Sequence, residues 1–352
     1  MINQKRLVET FFDLVQTYSP FGKEDQFADV LVKHLTKIGI NLVKKDSYGN
    51  VYAKINGRGE PVFFAFHMDT VEPSKDIKPL IKNNYIISDG KTILGADNKA
   101  PIACVLEVIS LLHEGIKNYR PLELVFTKSE EAGNYGAINF NYRFLKSKTG
   151  FCFDSPTPVG TIVTASPFYE RFDIQIIGRS AHASKPDEAI NALSILNKVL
   201  NFQKLGRLDD ETILNIGVIH AGSVRNTIPG EITLNGEIRS FSKKKLIENK
   251  TKFIKNLKST VKKLAAKTKV KFVRENPGYK HSSVSINQLI DTLDLKPVTT
   301  WAVSDANIFN DNKGIVCFNL GDGCEFTHTN QERIKTSEMK NLIKLMLKLI
   351  SI

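Results

Sequence analysis

Leu122-Glu-Leu-Val-Phe-Thr127-Lys-Ser-Glu130-Glu131-Ala-Gly133 sets an apolar run of strand length directly before two adjacent acids. The pattern recurs along the chain. Residues 61–66 run into His67-Met-Asp69, residues 150–153 run into Asp154, and Gly95-Ala-Asp97 opens a helical stretch over 98–114. Continuous apolar runs that alternate with helix-like segments are the signature of buried strands in a mostly parallel sheet flanked by helices. Polar residues at the ends of such strands converge on one cleft. The expected class is therefore α/β, with a helical segment near Ala137 completing the first half.

The middle of the chain reads differently. Residues 168–177, 188–202, 212–220, 231–239, a lysine-rich helix and 270–273 follow the order β-α-β-β-α-β, the pattern of a ferredoxin-like antiparallel sheet with two helices on one face. At 352 residues the chain exceeds the size at which one core usually keeps growing. Two domains are thus expected: a discontinuous catalytic one over 1–165 and 277–352, and an inserted one over 166–276.

The net charge of +12 invites a nucleic-acid reading, but its location argues against one. Between Lys243 and Arg274 stand twelve lysines and one arginine against a single acid, Glu248, which accounts for the whole excess. The same segment spaces Leu246, Ile247, Phe253, Ile254, Leu257, Val261, Leu264 and Ala265 as one buried helical stripe, leaving the lysines as its wet face. No aromatic or arginine-rich readout pattern accompanies the charge, so no nucleic-acid partner is expected. Acids interrupt the apolar positions of the N-terminal stretch, and no run is long enough to span a bilayer. A cytoplasmic location without membrane contact is the expectation. Cys104, Cys152, Cys317 and Cys324 lack paired short spacings and sit in apolar contexts that suit buried thiols.

The acids and histidines carry the chemistry. His67 and Asp69 leave a strand end two residues apart, so a carboxylate can hold one imidazole nitrogen while the other binds metal. Asp97 suits either a metal or a helix N-cap. Adjacent carboxylates repel each other unless something positive lies beside them, which points Glu130 and Glu131 at a shared cation, one as ligand and the other handling protons. With Asp97, Glu131 and Asp154 as anionic ligands beside two neutral imidazoles, two divalent ions and a hydroxide balance the charge better than one ion does.

Phe-His67-Met-Asp69-Thr-Val, Leu-Gly95-Ala-Asp97-Asn-Lys-Ala, Ser-Glu130-Glu131-Ala-Gly, Phe-Asp154-Ser and Thr-His328-Thr, with Gly178-Arg-Ser-Ala-His182-Ala between them, resemble the M20 zinc metallopeptidases, and most of all their peptidase T-like branch. The resemblance runs over nearly the whole chain. It implies a zinc-exopeptidase-like catalytic domain with two divalent ions, zinc as the expected metal and manganese or cobalt as alternatives. His67 and Asp154 would hold one ion, Glu131 and His328 the other, and Asp97 both. Glu130 would be the general base acting on a metal-bridging water, and Asp69 would orient the site.

It further implies a short peptide substrate cut by an aminopeptidase or tripeptidase, with an N-acyl amino acid amidohydrolase or a carboxypeptidase as the alternative. The inserted domain would make a homodimer. His182 would stabilise the oxyanion, while Asn226 and Arg239 would contact the substrate backbone and carboxylate. Where relatives often read Asp-Asp-Lys-Ala-Gly, this chain has Asp97-Asn98-Lys99-Ala100-Pro101. A cis Asp97–Asn98 peptide is the geometry that the resemblance implies.

Overall fold

The computed structural model describes residues 1–352, apart from the side chains of 273–275 and 285. Two compact units emerge: one spans 1–164, 281–299 and 304–352, the other 165–280 and 300–303.

In the first unit, Val62–His67 and Leu122–Thr127 are buried at every position, which is why Val62–Phe66 reads as one apolar run and Leu122–Phe126 as a run broken only by Glu123, whose buried carboxylate accepts the Tyr52 hydroxyl and the Ser147 N–H. They lie side by side and parallel at the centre of the sheet, with Thr149–Ser155 and then Val316–Gly321 extending the parallel set. Val51–Ile55 and Leu42–Lys45 add antiparallel strands at one side, and Thr161–Ser166 pairs antiparallel to Val316–Gly321 at the other. The core holds the helix Ala96–His113, buried along almost its whole length, against Gln4–Gln16 and Thr336–Ile350. Across the central strands Phe66 stacks on Phe126 and Phe153, and Phe64 meets Phe153 edge-on.

Register places the functional ends. His67 pairs with Thr127, and Ala65 with Cys152, so His67, the Lys128–Glu131 exit and Asp154 share one edge of the parallel strands. A small sheet of Leu80–Lys82, Tyr85–Ile87, Arg333–Lys335 and Cys324–Glu325 carries the loop that holds His328.

The second unit is a five-stranded antiparallel sheet ordered Gly206–Asp209, Thr212–Ala221, Glu231–Ser240, Phe168–Ile177, Lys267–Asn276. The edge strand Gly206–Asp209 adds to the four expected ones. Helices Ala192–Leu200 and Lys243–Lys263 pack with this sheet in one core. The lysine-rich helix buries Leu246, Phe253, Leu257 and Val261. Ile247, expected in that stripe, is instead 50% exposed. It follows Leu246 by one residue, about 100° round the helix, and the four buried positions keep the three-and-four spacing without it. Ala265, also expected there, falls past the helix end at φ 51° and is exposed. Among the described residues no helix is long and apolar enough to cross a membrane.

Candidate active site

The strand Leu122–Thr127 is broken off by Ser129, whose φ of 58° turns the chain out of the sheet. Buried Glu24 secures that turn by accepting the Ser129 N–H at 3.1 Å and its hydroxyl at 3.0 Å. Beyond it, the Asp69 carboxylate accepts the backbone N–H groups of Glu130 and Glu131 at 2.9 and 3.0 Å. The two acids are thus presented to one cleft by a carboxylate from the neighbouring strand end. Asp69 orients His67 by a different atom than the sequence suggests. His67 Nδ1 lies 2.9 Å from the Asp69 backbone carbonyl oxygen and 3.5 Å from its Oδ1, because the carboxylate is already engaged by the two amides. That leaves Nε2 to face the cleft.

Asp97 does not act as the helix cap. Gly95 takes the N-cap position at φ 71°, Asp97 and Asn98 depart from helical geometry, and the peptide between them is cis. Buried Glu332 braces this corner, accepting the N–H groups of Leu94, Gly95 and Asp97 at 2.9, 2.8 and 3.0 Å. Asn98 donates its side-chain amide to the Phe153 carbonyl, tying the corner to the strand that carries Asp154.

The result is two groups that share one residue. Asp97 Oδ1 is 3.0 Å from His67 Nε2, which is 4.0 Å from Asp154 Oδ1. Asp97 Oδ2 is 3.5 Å from His328 Nε2, which is 2.8 Å from Glu131 Oε1. His67, Asp97 and Asp154 offer ligand atoms within 4.8 Å of one another, as do Asp97, Glu131 and His328, and as do His67, Glu130 and Glu131.

Burial pushes the Glu130 and Asp154 carboxyls well above their ordinary range, and neighbouring acids add to it: Asp154 acts on Glu130, and Asp97 on Asp154. Contact with Asp97 and Glu131 raises His328 to about 10. Such a crowd of acids is costly without positive charge, and its imidazole nitrogens and carboxylate oxygens are the donors that divalent transition ions prefer. The donor set fits two divalent metal ions, with Asp97 facing both positions.

His182, Asn226 and Arg239 lie in the second unit. His182 and Asn226 sit on adjacent arms of a short ribbon, where the Ala183 N–H donates to the Asn226 carbonyl at 2.8 Å. Both are exposed. The Arg239 fork is engaged by Glu237 at 3.0 and 3.2 Å and by the Trp301 carbonyl at 2.6 Å, with the guanidinium over the Tyr169 ring.

Several site residues are invisible to motif reading. Asp305 looks like an ordinary acid in a helix first turn behind the Ser304 cap, and Glu332 like a surface acid after His328. Asn134 and Asn319 carry no motif, although Asn319 clasps the backbone of Asp154 at 3.1 and 2.8 Å.

The sequence matches the family profile described as Peptidase dimerisation domain over residues 170–269 and that of Peptidase family M28 over 50–195. It is 30% identical over 367 aligned residues to the uncharacterized protein YqjE of Bacillus subtilis, covering 99% of each chain. Among solved structures it is similar to a tripeptidase from Staphylococcus aureus, at 33% identity and a TM-score of 0.93 over 99% of this chain and 98% of the other. It is likewise similar to the aminopeptidase PepT from Bacillus cereus, at 32% identity and a TM-score of 0.89 over 99% and 98%. The chain belongs to the M20 family of metallopeptidases, in its peptidase T-like branch.

Proposed function

We propose that this protein is an exopeptidase that removes N-terminal residues from short peptides, tripeptides foremost. The observation that carries the reading is Asp97, whose two oxygens each face a separate histidine–carboxylate group, with Glu130 beside both. His67 and Asp154 would hold one divalent ion and Glu131 and His328 the other, with Asp97 shared; zinc is the first choice and manganese or cobalt the alternatives. Two ions bound there would polarise the scissile carbonyl and acidify water. Glu130 takes a proton from the attacking water and returns it to the departing amine, work that suits a carboxyl held well above its usual range. Asp69 keeps Glu130 and Glu131 in place through their amides. His182, Asn226 and Arg239 are proposed as substrate-binding residues, on the resemblance alone.

The protein is also proposed to be a homodimer through its second unit. Thr212–Ala221 pairs on its outer side only over 212–214, and among the described residues 215–221 have no strand partner there. Val218 and Ile219 on that open edge are 41% and 49% exposed. An edge of this kind is a template for pairing with a second copy. Ile219→Lys is expected to give a monomer by light scattering.

Chelator-treated protein reloaded with zinc, manganese or cobalt and offered dipeptides, tripeptides and N-acyl amino acids tests the activity. Release of the N-terminal residue from tripeptides is the expected outcome. Preferential cleavage of N-acyl amino acids, or release of C-terminal residues, would establish the amidohydrolase or carboxypeptidase alternative instead.

A further inference from the structure

Behind Glu130 stands a second carboxylate that the chemistry above does not use. Glu130 Oε1 lies 2.6 Å from Asn134 Nδ2, and the same nitrogen lies 3.1 Å from Asp305 Oδ1. Asp305 Oδ2 accepts the Thr127 hydroxyl at 2.5 Å. Asn134 and Asp305 are each 1% exposed, and Thr127 is fully buried. Four residues from three elements thus form one line, from the end of a central strand through the helix Asp305–Asp311 to the proposed base.

An asparagine side chain has a donor end and an acceptor end. Set between two carboxylates, it must turn its nitrogen to both, since an amide oxygen in that place would confront two acceptors. Asp305 therefore decides which end of Asn134 meets Glu130, and the Thr127 hydroxyl in turn fixes Asp305. A carboxyl on an outward turn, with several torsions free, would otherwise spread over rotamers.

We propose that Asn134 and Asp305 are positioning residues that lock the Glu130 carboxyl in its working orientation, tying Oε1 and leaving Oε2 as the oxygen that takes and returns the proton. The inference rests on the reading of Glu130 as the base. It assigns no contact with substrate or metal to either residue.

Substitutions at Asn134 must respect its left-handed backbone at φ 56°, which aspartate and glycine tolerate. Asn134→Asp keeps the shape and replaces the donor with a third acceptor. Asn134→Gly removes the link without repulsion. In metal-loaded enzyme turning over a tripeptide, Asn134→Asp is expected to lower kcat on the order of 10–100-fold, the scale of misplaced catalytic groups. KM and the bound metal content stay at their starting values, and Asn134→Gly loses less.

The exchange variant Asn134→Asp with Asp305→Asn separates positioning from mere support. It re-forms an amide–carboxylate pair between the two positions, so its thermal midpoint recovers. Glu130 still faces an acceptor, so kcat does not recover. Recovery of kcat in the exchange variant, or unchanged kcat in both single Asn134 variants while Glu130→Gln is inactive, overturns the positioning role alone. Full turnover by Glu130→Gln removes the base assignment and with it anything to position.

Discussion

Two regions of this molecule carry dense charge of opposite sign, and they differ in what holds it. The lysine-rich helix Lys243–Lys263 of the second unit sets nine lysines against the single acid Glu248, a net +8, with most of these lysines open to water. In the first unit Asp69, Asp97, Asp305, Asp322 and Glu332 are all buried, and Glu130, Glu131 and Asp154 are half-buried beside them. An exposed charge is solvated at almost no cost and screened within about 8 Å at physiological salt. A buried carboxylate needs a hydrogen bond, a proton or a cation. Charge that water would readily solvate therefore says little about function, whereas acids kept out of water and close together demand a partner.

The sharpest way to break this contrast is at the proposed base. Glu130→Gln preserves volume and most hydrogen bonds but cannot move a proton, and is expected to lower kcat by about 10²–10⁴-fold. Elemental analysis should still find the metal of the parent protein. Loss of metal from that variant would make Glu130 a ligand and dissolve the division of labour with Glu131, whose own change to Gln is the one expected to release metal.

The next effect belongs to the basic region, through its apolar face. Phe253 is 2% exposed and packs against Phe172, with ring centroids 5.5 Å apart. Phe253→Ala should cost about 3–5 kcal/mol in denaturant unfolding of the second unit. Metal content should not change, because none of the proposed metal ligands lies in that unit. A smaller effect returns to the acids. Removing metal with a chelator leaves them without counter-charge, and restoring it at 100-fold over its dissociation constant should raise stability by about 2.7 kcal/mol. No shift of the thermal midpoint on reloading would mean that the acids are already satisfied by one another.

Much of this could be read before any coordinates. Val62–His67, Leu122–Thr127 and Phe168–Ile177 are legible because burial on both faces, or alternation, writes itself into residue type, whereas only 270–273 of the strand Lys267–Asn276 stands out among its lysines. The His67, Asp97, Glu131, Asp154 and His328 cluster was legible because its members follow strand ends or stand in short motifs. Residues that act by bracing others left no such trace. Glu332 holds three amides of the corner that presents Asp97, and Asn134 links two carboxylates, yet each depends on a partner more than 150 residues away for part of that role. The short strand Gly206–Asp209 was missed for a plainer reason: four residues, one of them glycine and two of them charged, carry too little apolar pattern to stand out.

The basic helix contains its own counter-case, and the smallest prediction turns on it. Lys252, Lys255 and Lys258 are exposed. Changing any of them to Gln should move stability by no more than about 0.5 kcal/mol and leave kcat untouched. Lys250 differs. Its ammonium lies 2.5 Å from Glu170 Oε2 and 3.9 Å from the centre of the Phe272 ring, and the Glu170 side chain is only 5% exposed. Lys250→Gln removes the charge that offsets a buried carboxylate, so it should cost about 1–3 kcal/mol. The cost should largely vanish when Glu170 is changed to Gln as well, since the double variant leaves no unpaired buried charge. If Lys250 proves as silent as Lys252, then burial of the partner is not what gives a charge its weight here. The buried acids of the first unit would then need no cation on account of their burial either.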